Sequence, residues 1–394
     1  MKYRLLFLSR FWNIINYYAP YKYLTGNWDN ILQKFIPKVI NSNDTLSYYK
    51  TLAELSKSLN DGHSQVALSG QMLSDLFFGS YTVPFFCEIA EGKIAIRNVG
   101  NDSISKAFNI RQGDIVLKID GEETAKIIAS RKKYISASNL ADENHQLSYH
   151  ILDGQSPEVT LKIKRGNQII ETVATRILTR NKDWRQSINY TYNDLGYKQL
   201  NDSILLVYAS QIWRGNIDTI KHLIKQSKAV IFDVRNYPLS DDLFSIADPF
   251  LSEPKTIDYS TIALPQFPGV FKWKPNAHKV GRTNNNAYKG KVVILCDERT
   301  QSQGEYSCMV LQTIPGSVTI GSQTAGADGV VTYIPLGNRL TISYSGYGVY
   351  YPDKMQTQRV GIKEDIVVKK TLKAIRDSKD EILERALQYI NNGK

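Results

Sequence analysis

Hydrophobic residues recur at helical spacing in the first part of the chain. Leu52, Leu55 and Leu59, for example, lie three and four positions apart. Apolar residues at this spacing form one face of an amphipathic helix. The pattern ends in the turn residues Asp61–Ser64. We therefore expect a helical N-terminal region over residues 1–80.

Residues 81–178 change to short apolar or alternating runs that are separated by turn residues, which is typical of strands and hairpins. In chain order, the predicted elements are a hairpin of 85–89 and 93–96, a strand at 113–120, a helix at 122–133, and a hairpin of 158–164 and 168–175. This order fits a generic small β domain or a PDZ-like, peptide-binding module. We favour the PDZ-like module.

The remaining residues, 179–394, alternate between apolar runs typical of strands and segments of helical period. The predicted strands are 203–209, 229–234, 291–297 and 318–321, and the predicted helices are 216–225, 302–314 and 379–391. Strands that alternate with helices form a layered α/β core around a largely parallel sheet. We expect this third region to be such a core.

Composition excludes several classes of function. The net charge of the 394 residues is +11, but the basic residues are scattered and form no module of the kind that binds nucleic acid. The histidines lack zinc-ligand spacing, so we expect neither a metal nor another cofactor. Cys87, Cys296 and Cys308 stand in apolar surroundings and are expected to be buried free thiols.

The chain contains no run near the ~20 apolar residues that a membrane helix needs. The apolar run at residues 5–8 is also too short for the core of a signal peptide. We therefore do not expect an integral membrane protein, and the sequence as written shows no export signal.

Ser302 has the most informative position in the sequence. The apolar run 291–296 ends in polar residues, and a helical pattern follows Ser302. A serine at such a turn lies near the N-terminal amides of the helix, which favour an oxyanion and therefore suit a nucleophile. The alternative is a helix N-cap, with Glu305 completing a capping box. Local sequence alone favours the N-cap.

Three further segments carry candidate chemistry. His63 lies in the turn 61–64, where it is either a surface histidine or the base that a serine nucleophile requires. The loop after Asp233 follows a buried strand, at the edge of the sheet where ligands bind in open α/β folds. The glycines of 321–329 indicate tight backbone that lines a cleft, although a phosphate-binding loop is disfavoured because no Gly-Lys-Ser/Thr is present.

Together these segments resemble the C-terminal-processing (tail-specific) serine peptidases, and in particular their tricorn-like branch. The resemblance covers essentially the whole chain and favours a nucleophile at Ser302. It implies an α/β fold: a layered α/β peptidase core with a crotonase-like sheet and helices, an N-terminal helical segment, and an inserted β-rich, PDZ-like domain. The domains would be 1–80, carrying the catalytic histidine, 81–178, and 179–394.

The resemblance also implies roles for individual residues. Ser302 matches the nucleophile. The backbone of Gln303 and of the loop Tyr237, Pro238 and Leu239 matches the oxyanion hole. Members with a Ser–Lys dyad carry their lysine where this chain has Ala327, so that dyad is not available.

Tricorn-like members use a histidine base, and His63 stands in its place. The serine that precedes that histidine falls on Gly62, and the glutamate near the C-terminus falls on Gln358. An amide orients an imidazole but does not stabilise its charged form as a carboxylate does. Asp61, Glu305 and Asp328 are the candidate substitutes for the glutamate, and the sequence does not choose among them.

These observations predict a serine endopeptidase that acts on peptides or proteins through an acyl-enzyme on Ser302, with substrate captured by the PDZ-like domain. The alternative is a weakened or inactive peptide-binding relative, which Gly62 and Gln358 motivate. A non-peptidase hydrolase such as an esterase is more distant. The resemblance implies the cell envelope or periplasm, and the oligomeric state stays open.

Overall fold

The computed structural model describes residues 2–69, 71–179, 195–337 and 340–393. The α-helices are α1 (Lys2–Tyr18), α2 (Trp28–Ile40), α3 (Thr45–Lys57), α4 (Ser74–Phe78), α5 (Asp102–Ala107), α6 (Thr124–Arg131), α7 (Leu140–His150), α8 (Ile217–Gln226), α9 (Gln303–Gln312), α10 (Leu372–Arg376) and α11 (Glu381–Asn392). Short 3₁₀ helices occupy Lys22–Thr25, Lys132–Tyr134, Ala209–Gln211 and Asp241–Phe250.

The strands fall into five sheets. They are β1 (Val66–Leu68), β2 (Gln71–Met72), β3 (Tyr81–Thr82), β4 (Phe86–Ala90), β5 (Lys93–Asn98), β6 (Ile115–Ile119), β7 (Glu122–Glu123), β8 (Glu158–Arg165), β9 (Gln168–Thr175), β10 (Ile177–Leu178), β11 (Tyr197–Asn201), β12 (Ile204–Tyr208), β13 (Ala229–Asp233), β14 (Lys255–Ala263), β15 (Phe271–Trp273), β16 (His278–Val280), β17 (Lys291–Cys296), β18 (Val318–Gly321), β19 (Val331–Gly337), β20 (Leu340–Ser345), β21 (Gly348–Tyr350) and β22 (Ile366–Val367).

The main sheet has the order β11-β12-β13-β17-β18-β22, and every neighbouring pair except β11–β12 is parallel. Alternate residues of β13 face opposite sides. Val230 and Phe232 join the apolar core that includes α8 and α9, whereas Ile231 joins a second core with α11. A parallel sheet covered on both faces requires apolar residues at nearly every strand position. The mixed α/β architecture and the largely parallel sheet predicted from the sequence are confirmed.

The N-terminal helices pack against a second sheet, of order β19-β20-β1-β2. Leu52 and Leu55 of α3 belong to one apolar cluster with Ile342 of β20. Strand β1 follows the turn 61–64 and runs antiparallel to β20, with Val66 opposite Ile342. This pairing brings the turn from the beginning of the chain to the end of β20.

The β-rich region contains the sheet β4-β5-β6-β8-β9, to which the short strand β7 is added at β6. Its hairpins and the strand β6 lie where the sequence predicts them. The helix predicted at 122–133 is shorter, because Glu122 and Glu123 form β7 and α6 begins at Thr124. Helix α7, which packs beside the edge strand β4, is absent from the sequence-based prediction. Asn139 caps it through a hydrogen bond to the Asp142 N–H.

The β-rich region contacts the main sheet through charged side chains that are largely, but not fully, buried. Lys370 lies between Glu88 of β4 and Glu298, which follows β17, and its ammonium donates to both carboxylates. Nearby, Ile375 of α10 packs against Ala90 and Ala95. The C-terminal segment therefore connects the β-rich region to the loop that leads to Ser302.

All three cysteines are buried and unpaired, as expected. Within the described ranges, no helix combines the length and apolar character that crossing a bilayer requires.

Candidate active site

Ser302 lies at the turn between β17 and α9, as predicted, but helix α9 begins one residue later. Its φ of +52° and ψ of −118° are rare for a residue other than glycine. Such backbone costs about 1–3 kcal/mol and persists only where its surroundings hold it. Here the Ser302 N–H donates to the Ala327 carbonyl (3.0 Å), and the Ser302 carbonyl accepts from the Tyr306 N–H (2.9 Å).

The hydroxyl of Ser302 is not used as a helix cap. Ser302 stands at the N-cap position of α9, yet its side chain accepts no capping hydrogen bond. Glu305 is also engaged elsewhere, since its carboxylate accepts from the N–H groups of Gly326 (2.8 Å) and Ala327 (2.9 Å) and from the hydroxyl of Thr324. The capping-box alternative is therefore wrong, and Glu305 instead secures the loop 324–327 behind Ser302.

Glu305 is almost completely buried. Burial raises its pKa to about 7, although the hydrogen bonds from Thr324, Gly326 and Ala327 oppose this shift. The same loop holds Asp328, whose pKa burial also raises well above its usual value. Asp328 Oδ1 accepts from the Gly329 N–H, whereas Oδ2 has no partner among the described residues. Two buried carboxyls with raised pKa therefore lie at the loop that accepts the Ser302 N–H.

His63 is buried beside strand β20. Its Nδ1 lies 3.0 Å from Ser345 Oγ, and its backbone carbonyl accepts a hydrogen bond from Ser343 Oγ (2.6 Å). Burial lowers the pKa of His63, although the nearby charge of Asp61 opposes this shift. Burial therefore favours the neutral imidazole, the form that a general base requires.

Asp61 is the carboxylate closest in the hydrogen-bond network to this imidazole. Its Oδ1 accepts from Ser345 Oγ (2.9 Å), from the His63 N–H (3.0 Å) and from Gln358 Nε2 (3.1 Å). Its Oδ2 accepts from the Ser345 N–H (2.7 Å). Of the three substitutes for the family glutamate, Asp61 is the one joined to His63 through a side chain.

Gln358 reaches Asp61 rather than the imidazole. Its Nε2 also lies 3.4 Å from Ser138 Oγ, and its Oε1 has no hydrogen-bond partner in the described part of the chain. The side chain is almost fully buried. Gln358 thus lies in the network behind His63, separated from the ring by Asp61 and Ser345.

The turn that carries His63 meets the turn that carries Ser302. A β-carbon placed on Gly62 would lie 3.0 Å from Gln301 Nε2 and 3.1 Å from Ala327 Cβ. Gln301 directly precedes Ser302, and the Ala327 carbonyl accepts the backbone N–H of Ser302. Among the described residues, however, the Ser302 hydroxyl makes no hydrogen bond, to His63 or to any other group.

The loop expected to supply an oxyanion donor lies beside the first turn of α9. Pro238 Cδ would be 3.7 Å from a β-carbon on Gly304, and Gln303 Nε2 donates to Asp241 (2.8 Å). The side chains of Tyr237 and Leu239 are exposed. Proline has no N–H group, so a donor from this loop comes from Tyr237 or Leu239.

Ser345 is the functional candidate that sequence reasoning missed. Its position opposite His63 continues the register of β1 with β20, in which Val66 faces Ile342. His63 and Ser345 are 282 positions apart in the sequence, so no local pattern indicates their contact. The described residues contain no group of three or more His, Cys, Asp or Glu arranged to hold a metal ion.

Comparison with known proteins finds a family model that matches part of the chain. Residues 206–368 match the model described as Peptidase family S41. No curated protein matches the chain in sequence.

Among solved structures, the chain is similar to mature CPAF complexed with lactacystin, with a TM-score of 0.76, 16% identity and coverage of 99% of both chains. It is similar to the photosystem II D1 C-terminal processing protease, with a TM-score of 0.50, 13% identity and coverage of 93% of both chains. It is also similar to the tricorn protease (TM-score 0.50, 14% identity), covering 99% of this chain and 36% of that one. At these identities the similarity concerns the fold.

Proposed function

We propose that the chain, whose residues 206–368 match the model of peptidase family S41, is a serine endopeptidase with Ser302 as nucleophile and His63 as general base. The observation that carries the proposal is the approach of Gly62 to Gln301 and Ala327. This approach brings the turn that carries the buried imidazole of His63 against the turn that carries Ser302, whose hydroxyl caps no helix.

In the proposed reaction, Ser302 Oγ attacks the scissile carbonyl carbon while its proton passes to His63 Nε2. The tetrahedral oxyanion is stabilised by backbone N–H groups at Gln303 and in the loop Tyr237–Leu239. The C–N bond then breaks, and the imidazolium gives its proton to the leaving amine. Water attacks the resulting ester with His63 again as base, and this releases the acid product and Ser302.

A closer approach of Ser302 and His63 than this structure shows is part of the proposal. Catalytic hydrogen bonds are often long or poorly aligned without substrate and tighten in the complex. The side chains of Ser302 and Gln303 are partly exposed, which leaves the nucleophile accessible to a peptide.

A fluorophosphonate probe followed by intact-mass measurement tests the proposal. We expect one adduct, lost in Ser302→Ala and strongly reduced in His63→Ala. The matched controls are Ser317→Ala, beyond the far end of the same helix, and His222→Ala, on the exposed face of α8. Lactacystin, with which mature CPAF is complexed, is a second probe and should compete with labelling. Labelling that persists in Ser302→Ala would refute the nucleophile assignment.

We further propose that the β-rich region captures substrate as a PDZ-like module. Strand β4 is an edge strand, and α7 lies beside it. An extended peptide binds at such an edge by β-strand addition. The space between them, lined by Cys87, His145 and Ser148, is only about 40 Å³, and Ser148 Oγ accepts the Ile89 N–H. The helix therefore has to move outward to admit a strand.

Filling this groove with Ser148→Tyr tests capture. We expect KM for long peptides to rise about tenfold while kcat is unchanged, since only binding is affected. Ser130→Tyr, outside the groove on α6, is the control. An unchanged KM for Ser148→Tyr would count against capture at β4.

The absence of a Ser302–His63 hydrogen bond in the described structure favours one alternative, a peptide-binding relative without turnover. This alternative predicts binding of peptides with no cleavage product and no fluorophosphonate adduct. Cleavage that disappears in Ser302→Ala would exclude it.

A further inference from the structure

We propose that Asp61, acting through the hydroxyl of Ser345, is the carboxylate that sets the tautomer of His63 and stabilises its charged form. This inference rests on the proposed function, in which His63 is the base. Asp61 and Ser345 would position His63. The family resemblance instead places the residue with this role at Gln358.

The direction of the hydrogen bonds follows from counting protons. A serine hydroxyl has one proton to donate and two lone pairs that accept. The Asp61 carboxyl receives only donors: two backbone N–H groups, the Gln358 amide and the Ser345 hydroxyl. Its two oxygens therefore act only as acceptors, and the Ser345 hydroxyl is one of their donors. The Ser345 proton therefore points to Asp61, and Ser345 Oγ accepts from His63.

It follows that the neutral imidazole of His63 carries its proton on Nδ1, which lies 3.0 Å from Ser345 Oγ. Nε2 then has a free lone pair and can take the proton of Ser302. When Nε2 is protonated, the positive charge is stabilised by the Asp61 carboxylate through the polarised Ser345 hydroxyl. In a catalytic triad the histidine contacts the carboxylate directly; here two hydrogen bonds through the Ser345 hydroxyl connect them.

Backbone contacts fix this arrangement on both strands. Asp61 accepts the N–H of His63 on one side and the N–H of Ser345 on the other. The Ser343 hydroxyl also donates to the His63 carbonyl. The imidazole, the hydroxyl and the carboxylate are thus held by the antiparallel pairing of β1 with β20, and all three side chains are buried.

Gln358 has a supporting role that a glutamate would not fill here. Its amide donates to Asp61 Oδ1 at 3.1 Å. A glutamate at this position would place a second carboxylate about 3 Å from the first, and two such groups do not both ionise. A glutamine at position 358 therefore fits an arrangement in which Asp61 supplies the carboxylate that acts on His63. Two other charged groups face Asp61, the Arg359 guanidinium and the Asp142 carboxyl.

The first test measures the tautomer of His63 by ¹⁵N NMR of histidine-labelled protein, with assignment by His63→Gln. We expect the Nδ1–H form in the wild type. Ser345→Ala should lose this preference and Ser345→Thr should keep it. Ser343→Ala loses only contacts with the backbone of His63 and Gln65 and should also keep the preference. An Nε2–H tautomer in the wild type, or an unchanged tautomer in Ser345→Ala, overturns the proposal.

The second test follows the rate of Ser302 labelling by a fluorophosphonate against pH. Replacing the triad aspartate of a serine protease by asparagine lowers kcat by about 10⁴, and a connection through a hydroxyl should give about 10²–10³ for Asp61→Asn and Ser345→Ala. Asp61→Asn should also move the acid limb to lower pH. Gln358→Glu should slow labelling, whereas faster labelling would return the role to position 358 and overturn the proposal.

The two tests separate the failure of this inference from the failure of the proposed function. A wild type with the Nδ1–H tautomer but no Ser302 adduct would refute the nucleophile and leave the Asp61–Ser345–His63 connection in place. If the wild type labels normally, and Ser345→Ala keeps both the labelling rate and the His63 tautomer, only the Asp61–Ser345–His63 connection is refuted.

Discussion

Gly62 and Asp142 approach so closely that a β-carbon on Gly62 would lie 2.5 Å from Asp142 Oδ2. Asp142 is buried and held in place, since its Oδ2 accepts from the Ser138 N–H and its Oδ1 from Gln146. The position at which the family resemblance expects a serine is therefore filled by the carboxyl of another segment.

Gly62→Ser should consequently destabilise the protein. Overpacking of a filled interior costs about 1–3 kcal/mol, and we expect about 2 kcal/mol in the free energy of unfolding, measured by urea denaturation. In an Asp142→Ala background the same substitution should cost clearly less, because the clashing atoms are gone. Equal costs in the two backgrounds would show that the clash does not limit this position.

In the proposed mechanism, the pH dependence of labelling reports the ionisation of His63. Burial lowers its pKa, against the effect of Asp61, so the imidazole stays neutral to below its ordinary value of about 6.5. We expect the acid limb of the labelling rate to have its midpoint below pH 6.5. Burial also raises the pKa of the neighbouring Asp142 to about 6, so Asp142→Asn is the necessary control. A midpoint above pH 6.5 in both proteins would contradict the prediction.

Glu305 should make stability depend on pH. Burial raises its pKa to about 7 in the folded protein, against about 4.5 for the exposed side chain. The folded state thus binds this proton more tightly than the unfolded chain, and the contribution of Glu305 to stability falls as the pH rises from 4.5 to 7. The free energy of unfolding of the wild type relative to Glu305→Gln should fall over this window by on the order of 3 kcal/mol.

Urea denaturation at a series of pH values measures this difference. The exposed Glu384→Gln provides the comparison for a substitution of the same type on the surface. A wild-type-to-Glu305→Gln difference that stays constant from pH 4.5 to 7 would rule out the raised pKa.

Lys370→Met should weaken the attachment of the β-rich region. The ammonium of Lys370 is the shared donor to Glu88 and Glu298, and both carboxylates are largely buried. Removing one partner of a buried ion pair costs about 3–5 kcal/mol, and the partial exposure of Lys370 reduces our expectation to about 2 kcal/mol. The exposed neighbour Lys369→Met should change the free energy of unfolding by less than about 0.5 kcal/mol. Equal effects of the two variants would contradict this role.

Much of the scaffold was predictable because its signals are local. The strands β12, β13, β17 and β18 are runs of apolar residues closed by polar ones, and burial on both faces of a parallel sheet requires such runs. The turn at Ser302 was predictable for the same reason. Helix α7 was not, since its sequence is mostly polar and its cap at Asn139 stands in a segment without helical period.

The candidate site was predictable only in part. A resemblance of short motifs indicated Ser302 and His63, and the sequence left Asp61, Glu305 and Asp328 open as the accompanying acid. Ser345 lies outside every motif, because its position beside His63 depends on the register of two distant strands. In β-sheets a shift of one residue reverses the face of every side chain, so such contacts follow from tertiary pairing alone.

The pairing of β1 with β20 has a consequence for when the protein becomes able to act. A polypeptide still being synthesised already contains His63, but it has neither the strand that holds the imidazole nor the serine that the imidazole would serve. Any hydrolysis that needs both groups begins only after the last third of the molecule has been made and has folded back onto the first. Under the proposed mechanism, an unfinished chain therefore cannot hydrolyse peptides, including itself.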